Sequence, residues 1–404
     1  MTDIDTSAPV VIFRSQFYPA LNAVRSLGRL GVRVYCIDHD PQALGMMSRY
    51  CTKRIFWNFD TNTPEASVEF LAKTAREIGE RAVLLPMGDL RALFVSKYRD
   101  ELSKWYLLPQ PVPGSLERLY SKLSMYELCK SVGCPTPETL FPESVDQAVR
   151  ESRDFQYPLV VKAIDVERLE KRSGKRLAIV WKQSDLRGEY EALDEPGFGN
   201  LVIQEYIPGE VHDSWVLGAY FGAKGDCLFA MTGKKFRQFP IHGGVTTLAE
   251  TVSCPEMIEG ISKVAKAAGY HGIVGADFRF DRRDGLWKLH DINPRAGANY
   301  RLFVDKNGLD VIRALYLDMT GQRIPEAEPD WGRRWLVEDK DLHALRDHLL
   351  EKSLSVSAWG RSLRGIDELA HFSWDDLRPS LFFVVQQFQY YARAILRRFS
   401  WKTK

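Results

Sequence analysis

Gly275-Ala276-Asp277-Phe278-Arg279-Phe280 and Lys288-Leu289-His290-Asp291-Ile292-Asn293-Pro294-Arg295 are the two segments on which the reading of this 404-residue chain turns. Between them lies Arg282-Arg283-Asp284-Gly285, a short turn whose glycine accepts positive φ. An antiparallel hairpin is therefore expected, residues 272–280 against 286–292. Pairing across that turn can bring Asp277 and Asp291 onto one sheet face, and Asn293 shares the face of Asp291 because strand side chains alternate with a period of two. Two carboxylates and an amide oxygen form a hard oxygen set. Magnesium suits it, taking one or two carboxylates and filling its other positions from phosphate and water, with manganese as the alternative ion. Singly, each aspartate reads as an ordinary hairpin surface residue and Asn293 as a helix cap. Their convergence beside Pro294 and Arg295 is what predicts a metal site.

Upstream, Tyr157-Pro158-Leu159-Val160-Val161-Lys162-Ala163 carries a lysine at the end of an apolar strand. An ammonium there is costly unless it meets an anion, and a nucleotide phosphate would be one. On a solvated rim it would need no such partner. Val202-Ile203-Gln204-Glu205-Tyr206-Ile207-Pro208-Gly209 reads as a strand that leaves one lobe and turns at Pro-Gly, a hinge able to offer backbone groups to an adenine edge. The acids just beyond it, Glu210 and Asp213, are placed to take ribose hydroxyls. Further strands are expected over 177–181, 214–221 and 227–232, and a helix over 116–132. Short hairpin turns with few helices indicate an antiparallel α+β arrangement.

Together these segments resemble the ATP-grasp superfamily, in the order that superfamily uses, from about Ser121 to Leu302 and more weakly back through the first domain. The resemblance implies a two-lobed ATP-grasp domain over 115–330, its mobile lobe at about 140–203, behind the superfamily's usual N-terminal partner. It implies ATP and magnesium as cofactors. Lys122 and Lys162 would contact the nucleotide, Lys162 at the phosphates, and Glu205, Tyr206 and Ile207 would form the adenine hinge. Asp213, in preference to Glu210, would take the ribose. Asp277, Asp291 and Asn293 would hold magnesium, with Arg295 facing an acyl phosphate.

Three features depart from the superfamily's pattern. Glutamate is commoner where Asp291 stands, one methylene shorter. The phosphate-covering loop, usually glycine-rich, falls on residues 167–176, where Gly174 stands among basic residues and Lys175 or the neighbouring arginines are the expected charge clamps. Gly233-Lys234-Lys235-Phe236-Arg237-Gln238-Phe239-Pro240, with His242-Gly243-Gly244 after it, is similar to a segment of the carboxylate–amine ligase members. That likeness assigns Arg237 and one of Lys234 or Lys235 to the γ-phosphate or the carboxylate substrate; without it the stretch reads as a basic solvated loop.

The activity implied is ATP-dependent joining of a carboxylate to an amine through an acyl phosphate, releasing ADP and phosphate. Lysines, an arginine and magnesium fit phosphoryl transfer, which needs positioning and charge neutralisation more than a covalent nucleophile. His242 and His290 are the candidate general bases, each also readable as structural. Another phosphoryl transfer on the same fold, by a kinase or a carboxylase, is the first alternative, and a non-catalytic nucleotide-binding scaffold the second. The partners implied are a small carboxylate and an amine: an amino acid, a peptide or a cell-envelope precursor.

Residues 1–114 alternate strand and helix: 10–13, a helix over 20–30, 32–37, and 83–85 running out into Pro86-Met87-Gly88-Asp89. That pattern predicts a doubly wound parallel α/β domain. The loop Arg14-Ser15-Gln16-Phe17-Tyr18-Pro19 lacks the GxGxxG glycines that a pyrophosphate requires. A formal net charge of +2 gives no general field for nucleic acid. Six cysteines without a CxxC pair predict reduced thiols, and a polar N-terminus without an apolar core predicts a cytoplasmic protein. Residues 331–404 are expected to be helical. Within them 379–399 form an amphipathic tail with a cationic end, which would dock on its own domain or a second subunit, or lie on the inner membrane face.

Overall fold

The computed structural model describes residues 4–164, 166–175, 177–195 and 197–387. Strands β1 (Val10–Phe13), β2 (Val34–Asp38), β3 (Cys51–Phe56), β4 (Ala82–Pro86) and β5 (Tyr106–Leu107) form one parallel sheet in the order β3-β2-β1-β4-β5. All four residues of β1 are buried, as expected of a central parallel strand covered on both faces. The edge strand β3 exposes Thr52, Lys53 and Arg54, charges that discourage pairing with another chain. The chain order reverses between β1 and β4, so their C-terminal ends form a topological switch point. Pro86–Asp89 lies at that point, as does the loop from Arg14.

Helix is broken within the stretch read as one, giving Ser115–Tyr120 and Lys122–Ser131. Ser121 is extended there, and its hydroxyl accepts from the Ser124 amide, an N-cap that sets Lys122 in the first turn of a new helix. Four antiparallel strands follow as a small sheet, β6 (Thr139–Leu140), β7 (Leu159–Ala163), β8 (Leu177–Val180) and β9 (Leu201–Glu205), in the order β6-β9-β7-β8. Leu159, Val161, Val180, Leu186, Tyr190 and Ile203 make its core. Between β7 and β8 the expected phosphate-covering loop is instead a helix, Val166–Ser173. Good helix formers and a single glycine at its end account for the difference.

A seven-stranded sheet completes the architecture: β10 (Ser214–Phe221), β11 (Cys227–Phe239), β12 (Val245–Thr251), β13 (Gly272–Asp281), β14 (Leu286–Asn293), β15 (Arg334–Leu336) and β16 (Glu368–Leu369), ordered β14-β13-β10-β11-β12-β15-β16. Two expectations are corrected here. The basic stretch from Gly233 to Phe239 is the second half of a long bulged strand, because β12, which the periodicity did not reveal, pairs with it. Residues 331–378 are not wholly helical: β15 and β16 extend the sheet, alongside helices Glu338–Leu350 and Val356–Ser362.

The C-terminal segment is fastened to the parallel domain. Arg25, 2% exposed, donates to Asp376 at 3.0 Å, and Arg29 holds Asp375 at 2.8 Å. Residues 377–387 are helical, with Leu381, Val384 and Val385 exposed. The tail expected to be amphipathic, 379–399, runs mostly beyond them, and residues 388–404 lie outside the described residues. Among the described residues no helix is long and apolar enough to cross a membrane.

Candidate functional site

A cavity of about 1340 Å³ opens between the four-stranded and seven-stranded sheets. The wall that carries Asp277 and Asp291 depends on the register of β13 and β14. From the turn outward Asp281 faces Leu286 and Phe278 faces Leu289, but Asp277 faces Asp291 and Gly275 faces Asn293. His290 is thus an extra residue in β14, a bulge that shifts every later side chain to the other face. Asp277 and Asp291 stand opposite each other on the cavity wall, each side chain 38% exposed. Lys235 Nζ lies 2.9 Å from Asp277 Oδ1, and Lys122 Nζ is hydrogen-bonded to Asp291 Oδ1. Lys234 points elsewhere, over the Trp215 ring. Among the described residues no three His, Cys, Asp or Glu side chains cluster as a metal site. Two carboxylates with the Asn293 amide remain, and they fit an ion that draws its other ligands from phosphate and water.

Lys162 projects from β7 into the same cavity and donates to Gln204 Oε1 at 2.8 Å. Gln204 is fixed in turn by its own bonds to Tyr126 and Thr139, 2.6 and 2.8 Å long. Burial, helped by the nearby Lys122 ammonium, lowers the Lys162 amine to about 8, against a smaller opposite pull from Asp291. The folded chain therefore favours the neutral amine above that pH, while a polyphosphate favours the ammonium. Affinity for a magnesium complex of a non-hydrolysable ATP analogue should be flat below pH 8 and about tenfold weaker at pH 9. Lys162→Arg should remove that dependence, since guanidinium stays charged. Calorimetric titration across that range checks it, and equal affinity at pH 7.5 and 9 in the wild type would refute it.

His290 also lines the cavity, and its Nε2 has no hydrogen-bond partner among the described residues. Burial, with Lys162, Arg279, Lys122 and Lys235 around it, pushes this imidazole down to about 3, so it is neutral and a weak base in the ligand-free chain. A buried orphan nitrogen inside a ring of cations fits a cavity made for an anionic ligand. His242, on the loop after β11, is exposed and pairs with Glu351 at 2.9 Å.

At the hinge the Glu205 and Tyr206 amides donate to the Glu138 and Pro158 carbonyls, and the side chain of Glu205 is buried. Its carboxylate is engaged by Arg283 at 2.6 Å and Lys288 at 3.3 Å. Arg279, two residues along β13 from Asp277, donates to the Ile207 and Gly209 carbonyls at 2.8 and 2.7 Å and so fixes the turn. The Ile207 amide donates no hydrogen bond among the described residues. Tyr206 lines the cavity beside it. The preference for Asp213 as the ribose acid is corrected: it is buried against Arg282 at 2.9 Å and the Glu210 amide at 2.9 Å. Glu210, exposed, is the acid on the cavity wall. Lys175 is not on that wall either. Its ammonium lies 3.9 Å from Glu189.

Two arginines have partners that the sequence did not announce. Arg237 reaches the cavity wall, but its Nε and Nη2 each lie 2.8 Å from Asp341 and its Nη1 lies 2.6 Å from Ser362. Asp341 is buried and also accepts from Thr247 and Trp359. With three of its five N–H groups so engaged, Arg237 ties β11 to the C-terminal helices while it also lines the cavity. Arg295 is gripped by Asp89 of the parallel domain, at 2.6 and 2.9 Å, and donates to Asn293 Oδ1 at 3.0 Å. Asp89 directly follows a strand-end Pro-Met-Gly, the one sequence signal that marked it.

No protein-family model matches the chain. Among solved structures it is similar to the biotin carboxylase domain of the Hydrogenobacter thermophilus 2-oxoglutarate carboxylase, in complex with MgADP, ADP and bicarbonate. The TM-score is 0.58 at 18% identity, over 80% of this chain and 72% of that one. A second is N5-carboxyaminoimidazole synthetase of Staphylococcus aureus with ADP, TM-score 0.62 at 15% identity, over 87% and 88%. Those two likenesses show the fold, a mixed α/β architecture that this chain shares with them. In sequence the chain is similar to D-aspartate ligase of Enterococcus faecium, 27% identical over 283 residues, 66% of each protein. It thus spans just under two thirds of that relative's length.

Proposed function

We propose that this chain is an ATP- and magnesium-dependent carboxylate–amine ligase that releases ADP and phosphate. The observation that carries the reading is the facing pair Asp277 and Asp291, each held by a lysine, on the wall of a cavity whose other end is the hinge at Tyr206 and Ile207. The likeness to D-aspartate ligase favours an amino acid as the carboxylate substrate. On this reading residues 1–114 are the partner domain, 115–330 the ATP-grasp domain, and 331–404 an appended region that closes the cavity through Ser353, Leu354 and Ser362.

Each residue has a role that its position supports. The hinge backbone takes the adenine edge and Glu210 the ribose. Lys162 and Lys122 attract the phosphates, and Asp277, Asp291 and Asn293 would hold magnesium. When bound, the ion would neutralise phosphate charge and help align the γ-phosphoryl group with the carboxylate oxygen. Arg295, steadied by Asp89, stabilises the oxyanion formed when the amine attacks the acyl phosphate. Lys235, released from Asp277, adds a second positive charge there. The small lobe carrying Lys162 excludes water from the labile anhydride.

The test is isotopic. Oxygen-18 in the substrate carboxylate should appear in the inorganic phosphate released, with ADP as co-product. Formation of AMP and pyrophosphate would reject the ligase reading in favour of adenylation, and a stable phosphorylated product would indicate a kinase.

A further inference from the structure

Arg14, the residue directly after β1, has a backbone conformation unusual for its type. Its φ is 70°, in the left-handed region that non-glycine residues seldom occupy. It stands at the switch point of the parallel sheet, where the C-terminal ends of β1 and β4 diverge and where ligands of doubly wound sheets gather. Its guanidinium is fixed without a carboxylate. It stacks over the Phe17 ring at 5.0 Å and packs onto Gly88, where an added Cβ would sit 2.6 Å from Nη1. Among the described residues it makes no ion pair. A half-buried, oriented cation at a strained residue has to be held there by its surroundings, and such outliers gather at ligand-binding positions.

Its neighbours say which ligand. Gly88 is followed by Asp89, which grips Arg295, which donates to Asn293 Oδ1. A continuous line of contacts thus runs from the unpaired guanidinium to the site where a carboxylate would be activated. Asp89 is paired with Arg295, and Asp60, whose carboxylate also feels the Arg14 charge, is paired with Arg91 at 2.7 Å, so each neighbouring acid already has its own cation. A substrate lying along this line would present one carboxylate to the phosphates and a second oxyanion to Arg14.

We propose that Arg14 is a specificity-determining residue of a substrate subsite at the switch point, where it binds the carboxylate of an amino dicarboxylic acid that is not the one activated. This deepens the ligase reading and rests on it. Guanidinium suits the role because its planar fork meets a carboxylate with two parallel hydrogen bonds.

The experiment uses the full chain saturated with magnesium and a non-hydrolysable ATP analogue, titrated calorimetrically with aspartate (each enantiomer) and, as monocarboxylate control, alanine. Arg14→Gly removes the guanidinium and relieves the left-handed backbone together, so the variant should fold at least as well. Aspartate affinity of one enantiomer should fall about 30-fold in Arg14→Gly, and less in Arg14→Lys, while affinity for the nucleotide analogue is unchanged and alanine does not distinguish the variants. Undiminished aspartate affinity in Arg14→Gly overturns the subsite, as does a wild-type chain that binds the nucleotide analogue but neither enantiomer. A wild-type chain that fails to bind the analogue with magnesium overturns the ligase reading itself.

Discussion

Asp277→Asn and Asp291→Asn should each lower turnover by roughly a thousandfold or more, several kcal/mol of transition-state stabilisation, with the fold retained. Asparagine keeps the shape and one oxygen of aspartate, so the sheet register survives; what goes is the charge that, on the proposed reading, would draw magnesium. Each carboxylate is part-exposed on the cavity wall and sits directly across from the other, so neither is needed to fill a core. The lysines give the two variants different signatures. Lys235, 9% exposed, loses in Asp277→Asn the one carboxylate it pairs with among the described residues, at 2.9 Å, whereas Lys122 is 36% exposed and can be solvated in Asp291→Asn. Asp277→Asn should therefore be the less stable of the two. ADP release and urea unfolding, measured side by side, separate the effects. Near-normal turnover in both variants would mean that these residues do not hold the metal.

Asp341→Ala should produce the largest loss of stability, about 3–5 kcal/mol, without touching the nucleotide site directly. Four donors converge on that carboxylate: Arg237 through two nitrogens, the Thr247 hydroxyl and the Trp359 indole. Both members of the Arg237–Asp341 pair are nearly fully buried, at 5% and 1% side-chain exposure, so removing the acid strands a guanidinium away from water. The converse variant decides whether the cost is the stranded charge or the pair itself. Arg237→Met with Asp341→Leu replaces both partners by apolar side chains and should recover most of the loss. Urea unfolding curves of the two are the measurement. If the double variant were as unstable as Asp341→Ala, the network's hydrogen bonds would matter more than its charges.

The same two residues mark where reading the sequence stopped. Arg237 is conspicuous in a basic stretch, and a cation beside a nucleotide site invites a phosphate. Its partner lies 104 positions later on a helix that no local pattern ties to β11. Asp213 misled in another way: an acid before a strand looks available, yet Arg282 and a turn amide occupy it. Gln204 and Arg279, which fix Lys162 and the hinge, have polar side chains with no distinctive spacing, and only their contacts reveal them.

The local elements were legible because each is encoded by its own residues. Apolar runs of strand length placed β1, β7, β9, β10 and β13 within a residue or two, Gly285 ended the hairpin turn at φ 76°, and Pro208-Gly209 ended the hinge strand. Those short-range preferences also put Asp277, Asp291, Lys162 and the hinge into one fold. They did not set the register. Strict pairing from the turn, with Asp281 opposite Leu286, would place His290 opposite Asp277 and carry Asp291 and Asn293 to the far face. The bulge at His290 reverses that. It is held by contacts from elsewhere, among them the Tyr126 hydroxyl on the His290 carbonyl at 3.0 Å and the Leu289 amide on the Pro135 carbonyl at 2.8 Å. Side-chain alternation has a period of two, so a single extra residue decides which face carries the carboxylates, and that residue is fixed by packing between segments distant in sequence.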